Sequence, residues 1–152
     1  MQLDNFRLAN DAWNVFYRAQ ATLAHEFAEA DVWGGLLGSE YAVLYALSTE
    51  PEGLRLSELH DDVLITQPGI SRLITRLETR GLVQRRPDDD GRARRICLTA
   101  EGSALQKRVG TAHARHIATA LGRALTTEQL ESLRDISQAL LAATPHEQES
   151  QK

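Results

Sequence analysis

The feature that most constrains this chain is an abrupt change of periodicity at Gly81. Before it, Ile70, Leu73, Ile74 and Leu77 recur at three- and four-residue steps, which places them on one stripe of a helix. After it, Leu82 to Arg86 reads as a strand, Pro87 to Gly91 as a turn and Arg94 to Leu98 as a returning strand. Gly81 sits where a glycine closes a helix. Thr66 is the expected N-cap, with Pro68 tolerated in the first turn. The chain must therefore fold as a helix running directly into a two-stranded ribbon.

The polar side of that helix is equally informative. With Ile70 facing inward, Pro68, Arg72, Thr75 and Thr79 point outward, and Ser71 and Arg76 flank them. Gln67 and Gly69 lie at the start, where free N–H groups and the positive end of the helix dipole favour a phosphate. Hydroxyl and guanidinium groups on a short outward face suit base edges and phosphates in a major groove. The ribbon adds Arg85, Arg86, Arg92, Arg94 and Arg95. An arginine at its tip suits the negative potential of a narrow minor groove. Asp88, Asp89 and Asp90 are expected to shape the turn through hydrogen bonds to backbone, with Asp90 bracing Arg92.

Charge distribution supports the same partner. The net charge is −4, which by itself does not suggest an anion binder. Yet residues 66–95 hold eight arginines against four acids, whereas residues 1–65 hold three against eleven. A basic segment on an acidic body is the footprint of anion binding, and nucleic acid is its commonest form. The expected DNA contacts are Thr66, Gln67, Pro68, Gly69, Ser71, Arg72, Thr75 and Arg76 on the helix, and Arg86, Arg92 and Arg94 on the ribbon.

The remaining elements are helical apart from one short stretch. A first helix is expected from Leu3 to Ala30, with Trp13, Phe16, Tyr17, Gln20, Leu23, Ala24 and Phe27 on one stripe. Ser39 is the expected cap of a second helix, with Tyr41, Leu44, Tyr45 and Leu47 facing inward. Leu54 to Leu56 reads as extended. Ser57 then caps a third helix carrying Leu59, Val63 and Leu64. Thr99 caps a fifth helix reaching about Leu121. Thr126 and Gln129 form a capping box for a sixth, with Leu130, Leu133, Ile136, Leu140 and Leu141 on its apolar face. The order is mainly α with a small β-wing, the winged helix-turn-helix plan.

The run from Gly53 to Gly102 resembles the MarR family of bacterial regulators. ISRLITRLETRGLVQR looks like that family's recognition helix and first wing strand, DDDGRARR like its wing tip, and LTAEG like the start of its long dimerisation helix. The family's Asp-x-Arg pattern is met by Asp90 and Arg92, although Gly91 stands where a bulkier residue is common and His60 where a small one is usual. The resemblance implies a cytoplasmic homodimer that binds a pseudo-palindromic operator in double-stranded DNA and acts as a repressor released by a small-molecule effector. It implies dimerisation helices at 1–38 and 99–144, a winged lobe at 39–98, and roles for Ser71, Arg72, Arg76 and Arg92. The tail 145–152 is expected to fray.

Other features suggest alternatives. Trp13, Phe16, Tyr17, Tyr41 and Tyr45 could line a pocket for an aromatic or phenolic effector, or belong to apolar packing. His113 and His116, with His25, raise a metal-responsive variant of the same fold, but lack an evident third ligand, so no metal or cofactor is expected. Cys97 raises an oxidant-responsive one, but has no second cysteine in the chain to resolve it. A ligand-binding module that does not touch DNA is a further reading. No Ser–His–Asp motif, Gly-rich phosphate loop or His-Glu-x-x-His sequence suggests an enzyme. The first ten residues lack an apolar signal-peptide core, and no apolar run reaches the ~20 residues needed to span a bilayer.

Overall fold

The computed structural model describes residues 3–63, 67–89, 91 and 94–143. Their order is α1 (Leu3–Ala28), α2 (Gly38–Ser48), β1 (Leu54–Arg55), α3 (Leu56–Val63), α4 (Gln67–Thr79), β2 (Val83–Pro87), β3 (Arg94–Leu98), α5 (Ala100–Gly122) and α6 (Thr127–Ala143). The periodicity change at Gly81 is thus a real junction between a helix and a ribbon. The expected cap Thr66, the apolar Leu64 and the tail from 145 lie outside the described residues.

Two compact units divide the chain, one through Arg115 and one from His116. In the first, α2, α3, α4, the ribbon and the start of α5 surround one apolar core. Ile70, Ile74 and Leu77 of α4 are fully buried, and Leu73 nearly so. They meet Val43, Leu44 and Leu47 of α2, Leu59 of α3, Val83 and Ile96 of the ribbon, and Val109 of α5. Burying each such side chain contributes about 1.5–3 kcal/mol, so this stripe fixes which face of α4 remains outside. Along α1, by contrast, Phe6, Trp13, Val15 and Tyr17 are more than half exposed. The second unit holds the end of α5 and all of α6. Thr126 and Gln129 cap α6 reciprocally, at 2.9 and 3.3 Å. Its apolar residues Ile136, Leu140 and Leu141 are also more than half exposed.

Several local expectations are corrected. The ribbon has a third strand, because β1 pairs antiparallel with β3 through Leu54–Ile96 and Arg55–Arg95. Ser39 does not cap α2, nor Ser57 α3, since both lie inside their first turns. A glutamate reaching back takes the cap in each case. Glu40 accepts the Leu37 N–H at 2.9 Å, and Glu58 accepts the Arg55 N–H at 2.6 Å. This is the carboxylate half of a capping box, which needs no hydroxyl at the cap itself. On α2 the buried face is Val43, Leu44 and Leu47, whereas Tyr45 turns outward and Tyr41 is half-buried. α1 also ends at Ala28, two residues before its expected end.

The end of α4 and the start of α5 are locked together. Gly81 adopts φ +73°, the left-handed turn that glycine takes without strain. Its N–H reaches Glu78 O at 2.9 Å, and the Leu82 N–H reaches Leu77 O at 3.0 Å, closing α4 with a Schellman motif. Thr99 then donates its hydroxyl to Gly81 O at 2.6 Å and accepts the Gly102 N–H at 3.0 Å. Its own N–H bonds Leu82 O at 3.2 Å. A Cβ on Gly102 would lie 1.9 Å from that Leu82 oxygen. Gly102→Ala should therefore destabilise the fold by about 1–3 kcal/mol, read as a lower denaturant midpoint at unchanged slope. Gly122→Ala, whose Cβ meets nothing within 4 Å, should leave the midpoint level or raise it.

Candidate nucleic-acid interface

The core stripe leaves α4 with a polar outer face. Arg72, Thr75, Arg76 and Thr79 are exposed, and Ser71 is half-buried. Ser39 of α2 stands across from them, and between the two helices lies a cleft of about 620 Å³ lined by Gly69, Ser71, Arg72, Thr75 and Arg76. The threonine hydroxyls are partly engaged: Thr75 donates to Ser71 O at 3.1 Å and Thr79 to Thr75 O at 2.9 Å. Their oxygens can still accept a bond from a partner. The side chains of Gln67 and Pro68, and all of Thr66, Arg92 and Asp90, lie outside the described residues.

The arginines do not form one continuous patch. Arg76 and Arg80 each come within 3.4 Å of the buried carboxylate of Glu40. Arg80 also donates to Gly35 O at 3.2 Å. Arg85 lies 3.5 Å from Glu78 and 3.4 Å from the Thr75 hydroxyl. Arg95 is bound to Asp88. Arg72, Arg86 and Arg94 are exposed, and among the described residues no carboxylate pairs with them. Strand register sets Arg86 opposite Arg95 and Arg94 opposite Pro87. Because side chains alternate along a strand, Arg86 and Arg94 project from opposite faces of the ribbon.

Asp88 is the residue that the sequence reading undervalued. Its expected role, hydrogen bonding within the turn, is real: it accepts the Asp89 N–H at 2.9 Å. It does more than that, however. The carboxylate is 5% exposed and gathers Arg95 at 2.9 Å and Arg55 through a two-nitrogen contact. Arg95 also donates to Gly53 O at 3.1 Å. Asp88 thus ties the turn end of the wing to β1 and to the turn before β1. The Arg95 and Arg55 hydrogen bonds lower its carboxyl from the ordinary 3.8 to about 2. Arg55 stands 33 residues away in sequence, so no local motif marks the pair.

The five expected effector-pocket residues fall into two groups. Trp13 packs its ring beside Phe16 and Tyr17, at 6.1 and 6.3 Å between centroids, on the exposed side of α1. Tyr41 and Tyr45 face each other at 6.2 Å. Tyr41 also meets Trp33 at 5.6 Å and His113 at 5.8 Å, and His113 packs against Trp33 and Phe27 at 4.7 and 5.4 Å. Sequence reading left out Trp33 because it belongs to no periodic stripe. Cys97 is buried, with its thiol 3.7 Å from Glu52 O. Among the described residues, no three His, Cys, Asp or Glu side chains are grouped as a metal ion would require.

Comparison with known proteins gives this geometry a context. A model described as MarR family matches residues 34–93. Sco3205 of Streptomyces coelicolor, a MarR family transcriptional regulator solved in complex with DNA, is 26% identical with a TM-score of 0.80, over 92% of this chain and 90% of that one. PcaV of the same organism, a transcriptional regulator solved with its natural ligand, is 26% identical with a TM-score of 0.72, over 84% and 90% of the two chains. The uncharacterized HTH-type transcriptional regulator YwoH of Bacillus subtilis is 37% identical over 67 residues, 44% of this chain. That match spans about half of YwoH, 48% of its length.

The Asp88 clamp has a defined pH signature. Its carboxyl titrates lower in the folded chain than in the unfolded one, so its stabilising effect is complete above about pH 4 and fades as pH falls toward 2. Asp88→Asn should be less stable than the parent at neutral pH. The gap should narrow through that acidic window when denaturant melts are compared. A constant gap from pH 7 to pH 2 would mean that the carboxylate charge is not what holds the wing.

Proposed function

We propose that the chain is a MarR-family transcriptional regulator that binds a pseudo-palindromic operator as a homodimer and represses by occupying it. The observation that carries this reading is the outer face of α4. Ser71, Arg72 and Thr75 stand clear of the core beside a cleft, on a helix whose inner stripe is fully buried. That helix suits the major groove, with the N–H groups of Gln67 and Gly69 in its first turn directed at phosphate and Pro68, which has no N–H, beside them. Thr66 and Arg92, which lie outside the described residues, would extend the contact at the helix start and the wing tip. Arg86 and Arg94, on opposite faces of the ribbon, would reach backbone on either side of a minor groove.

The unsatisfied apolar faces support a homodimer. Trp13 and Tyr17 on α1, and Ile136 and Leu141 on α6, are 60% exposed or more. Large apolar side chains left open on each of these helices favour a partner surface. We assign residues 1–38 and 99–144 to the dimer and 39–98 to the winged lobe. A two-fold axis would place the two α4 helices on half-sites roughly 34–36 Å apart. The ring cluster of Trp33, Tyr41 and His113 is the place proposed for a small aromatic effector, in keeping with the ligand complex of PcaV. Such a ligand releases DNA by favouring a lobe spacing that no longer fits. A hundredfold release needs about 2.7 kcal/mol of coupling. Among the described residues no helix is long and apolar enough to cross a membrane, and a regulator of this kind works in the cytoplasm.

Two measurements test the proposal. Repeated selection from random duplexes should enrich a near-palindromic site whose affinity falls steeply with salt. Arg72→Ala should then weaken that site by about 1–3 kcal/mol. Failure to enrich any sequence, or full affinity in a folded Arg72→Ala protein, defeats the reading. Separately, Ile136→Asp should shift the chain from dimer to monomer in sedimentation and abolish operator binding at nanomolar concentrations. A variant that sediments as the parent does would place the interface elsewhere.

A further inference from the structure

Glu40 is a buried carboxylate beside the surface that would have to attract phosphate. It is 4% exposed, on the first turn of α2. One oxygen accepts the Leu37 N–H at 2.9 Å and lies 3.4 Å from Arg80; the other lies 3.4 Å from Arg76. Arg76 on α4 and Arg80 just past its end stand one turn apart, where like charges would repel. Glu40 sits between them and holds both. Its neighbour Ser39 and its partner Arg76 line the cleft that also holds Ser71 and Arg72. Arg76 remains 56% exposed at its side chain and Arg80 38%, so both could swing to a phosphate if released. A glutamine would serve the cap equally well, so capping α2 does not require the charge.

We propose that Glu40 is a specificity-determining residue, which withholds Arg76 and Arg80 from DNA phosphate and so keeps binding to arbitrary sequence weak. The proposal rests on the DNA-binding reading above. Phosphate neutralisation supplies nearly all of the affinity for non-specific duplex, and each arginine that joins it steepens the slope of log affinity against log salt by about 0.9. Arginines neutralised by Glu40 add nothing to that slope. Uncompensated Arg72 adds its full share. Discrimination among sequences then rests on the contacts that only the correct site completes.

The test uses the full-length protein and a random-sequence duplex long enough to span both half-sites, titrated at several salt concentrations. Glu40→Gln should bind this duplex several-fold more tightly at low salt, with the slope steeper by about 0.9 for each arginine released. The gain should disappear in Glu40→Gln/Arg76→Gln/Arg80→Gln. Against the selected operator the gain should be smaller, so the specificity ratio falls. Unchanged or weaker binding by folded Glu40→Gln overturns the proposal, because Glu40 would then be orienting the arginines toward DNA. Should Glu40→Gln fail to fold, Arg76→Gln decides. Loss of a withheld charge leaves the slope unchanged, whereas Arg72→Gln, which removes one arginine from each subunit of the dimer, flattens it by about 1.8. Equal flattening by both overturns the proposal. Absence of any salt-dependent duplex binding by the parent would sink the DNA reading itself; binding by the parent without the Glu40 effect would sink only this inference.

Discussion

The lobe depends on the junction where α4 ends and α5 begins. Thr99 binds Gly81 through its hydroxyl and Leu82 through its N–H, while capping α5 with the same hydroxyl oxygen. Three chain segments far apart in direction are fixed by one side chain and two glycines. Gly81 makes the turn; Gly102 lets the helix approach the Leu82 carbonyl closely. The orientation of α4 relative to the start of α5 follows from that contact. A dimer that spaces its two α4 helices through α5 needs this junction to be stiff, since slack there would blur the half-site spacing. A Schellman end and a threonine cap meeting on consecutive carbonyls leave little slack.

A second constraint is how charge is arranged around that frame. Two buried carboxylates, Glu40 and Asp88, each hold two guanidinium groups. Both are satisfied by backbone N–H as well, as a buried charge must be to escape a large desolvation cost. Their effects differ by position. Asp88 works at the turn end of the ribbon, joining the wing to β1, so its arginines act as structure. Glu40 works beside the outer face of α4, so its arginines sit at the margin between structure and the proposed contact. Counting arginines in the sequence therefore overstates the free positive charge of the lobe. What remains outward and unpaired among the described residues, Arg72 on α4 with Arg86 and Arg94 on the ribbon, is sparse and well separated.

Much of this was legible in the sequence, and the divide has a physical cause. Periodicity marked α4, the ribbon, α5 and α6, because burial of a stripe requires regular spacing. The hydroxyl caps at Thr99 and Thr126 were equally readable, since cap and partner lie three residues apart. The starts of α2 and α3 were misread for a related reason. A serine nearby looked sufficient, but the glutamate at the third helical position completes a cap on any residue's N–H. Glu58 and Glu40 carried that signal. The Arg55–Asp88 and Glu40–Arg80 contacts span 33 and 40 residues, so nothing local announces them. The extended stretch at β1 was legible, but its pairing with β3, some forty residues on, was not.

The compensation of arginines also bears on how such a lobe could be switched. A surface that held DNA by many free cations would bind any duplex, and a modest coupling at a distant pocket could not release it. If the lobe binds DNA as proposed, internal pairing of most of its arginines would leave it a small sequence-independent affinity. Operator binding would then depend on both lobes fitting at once, because each would contribute few contacts. Under those conditions a small change in lobe spacing removes one half-site and most of the affinity with it. Internal ion pairs and remote control are in this view two sides of one design: limiting the attraction of each lobe for phosphate is what allows geometry to decide occupancy.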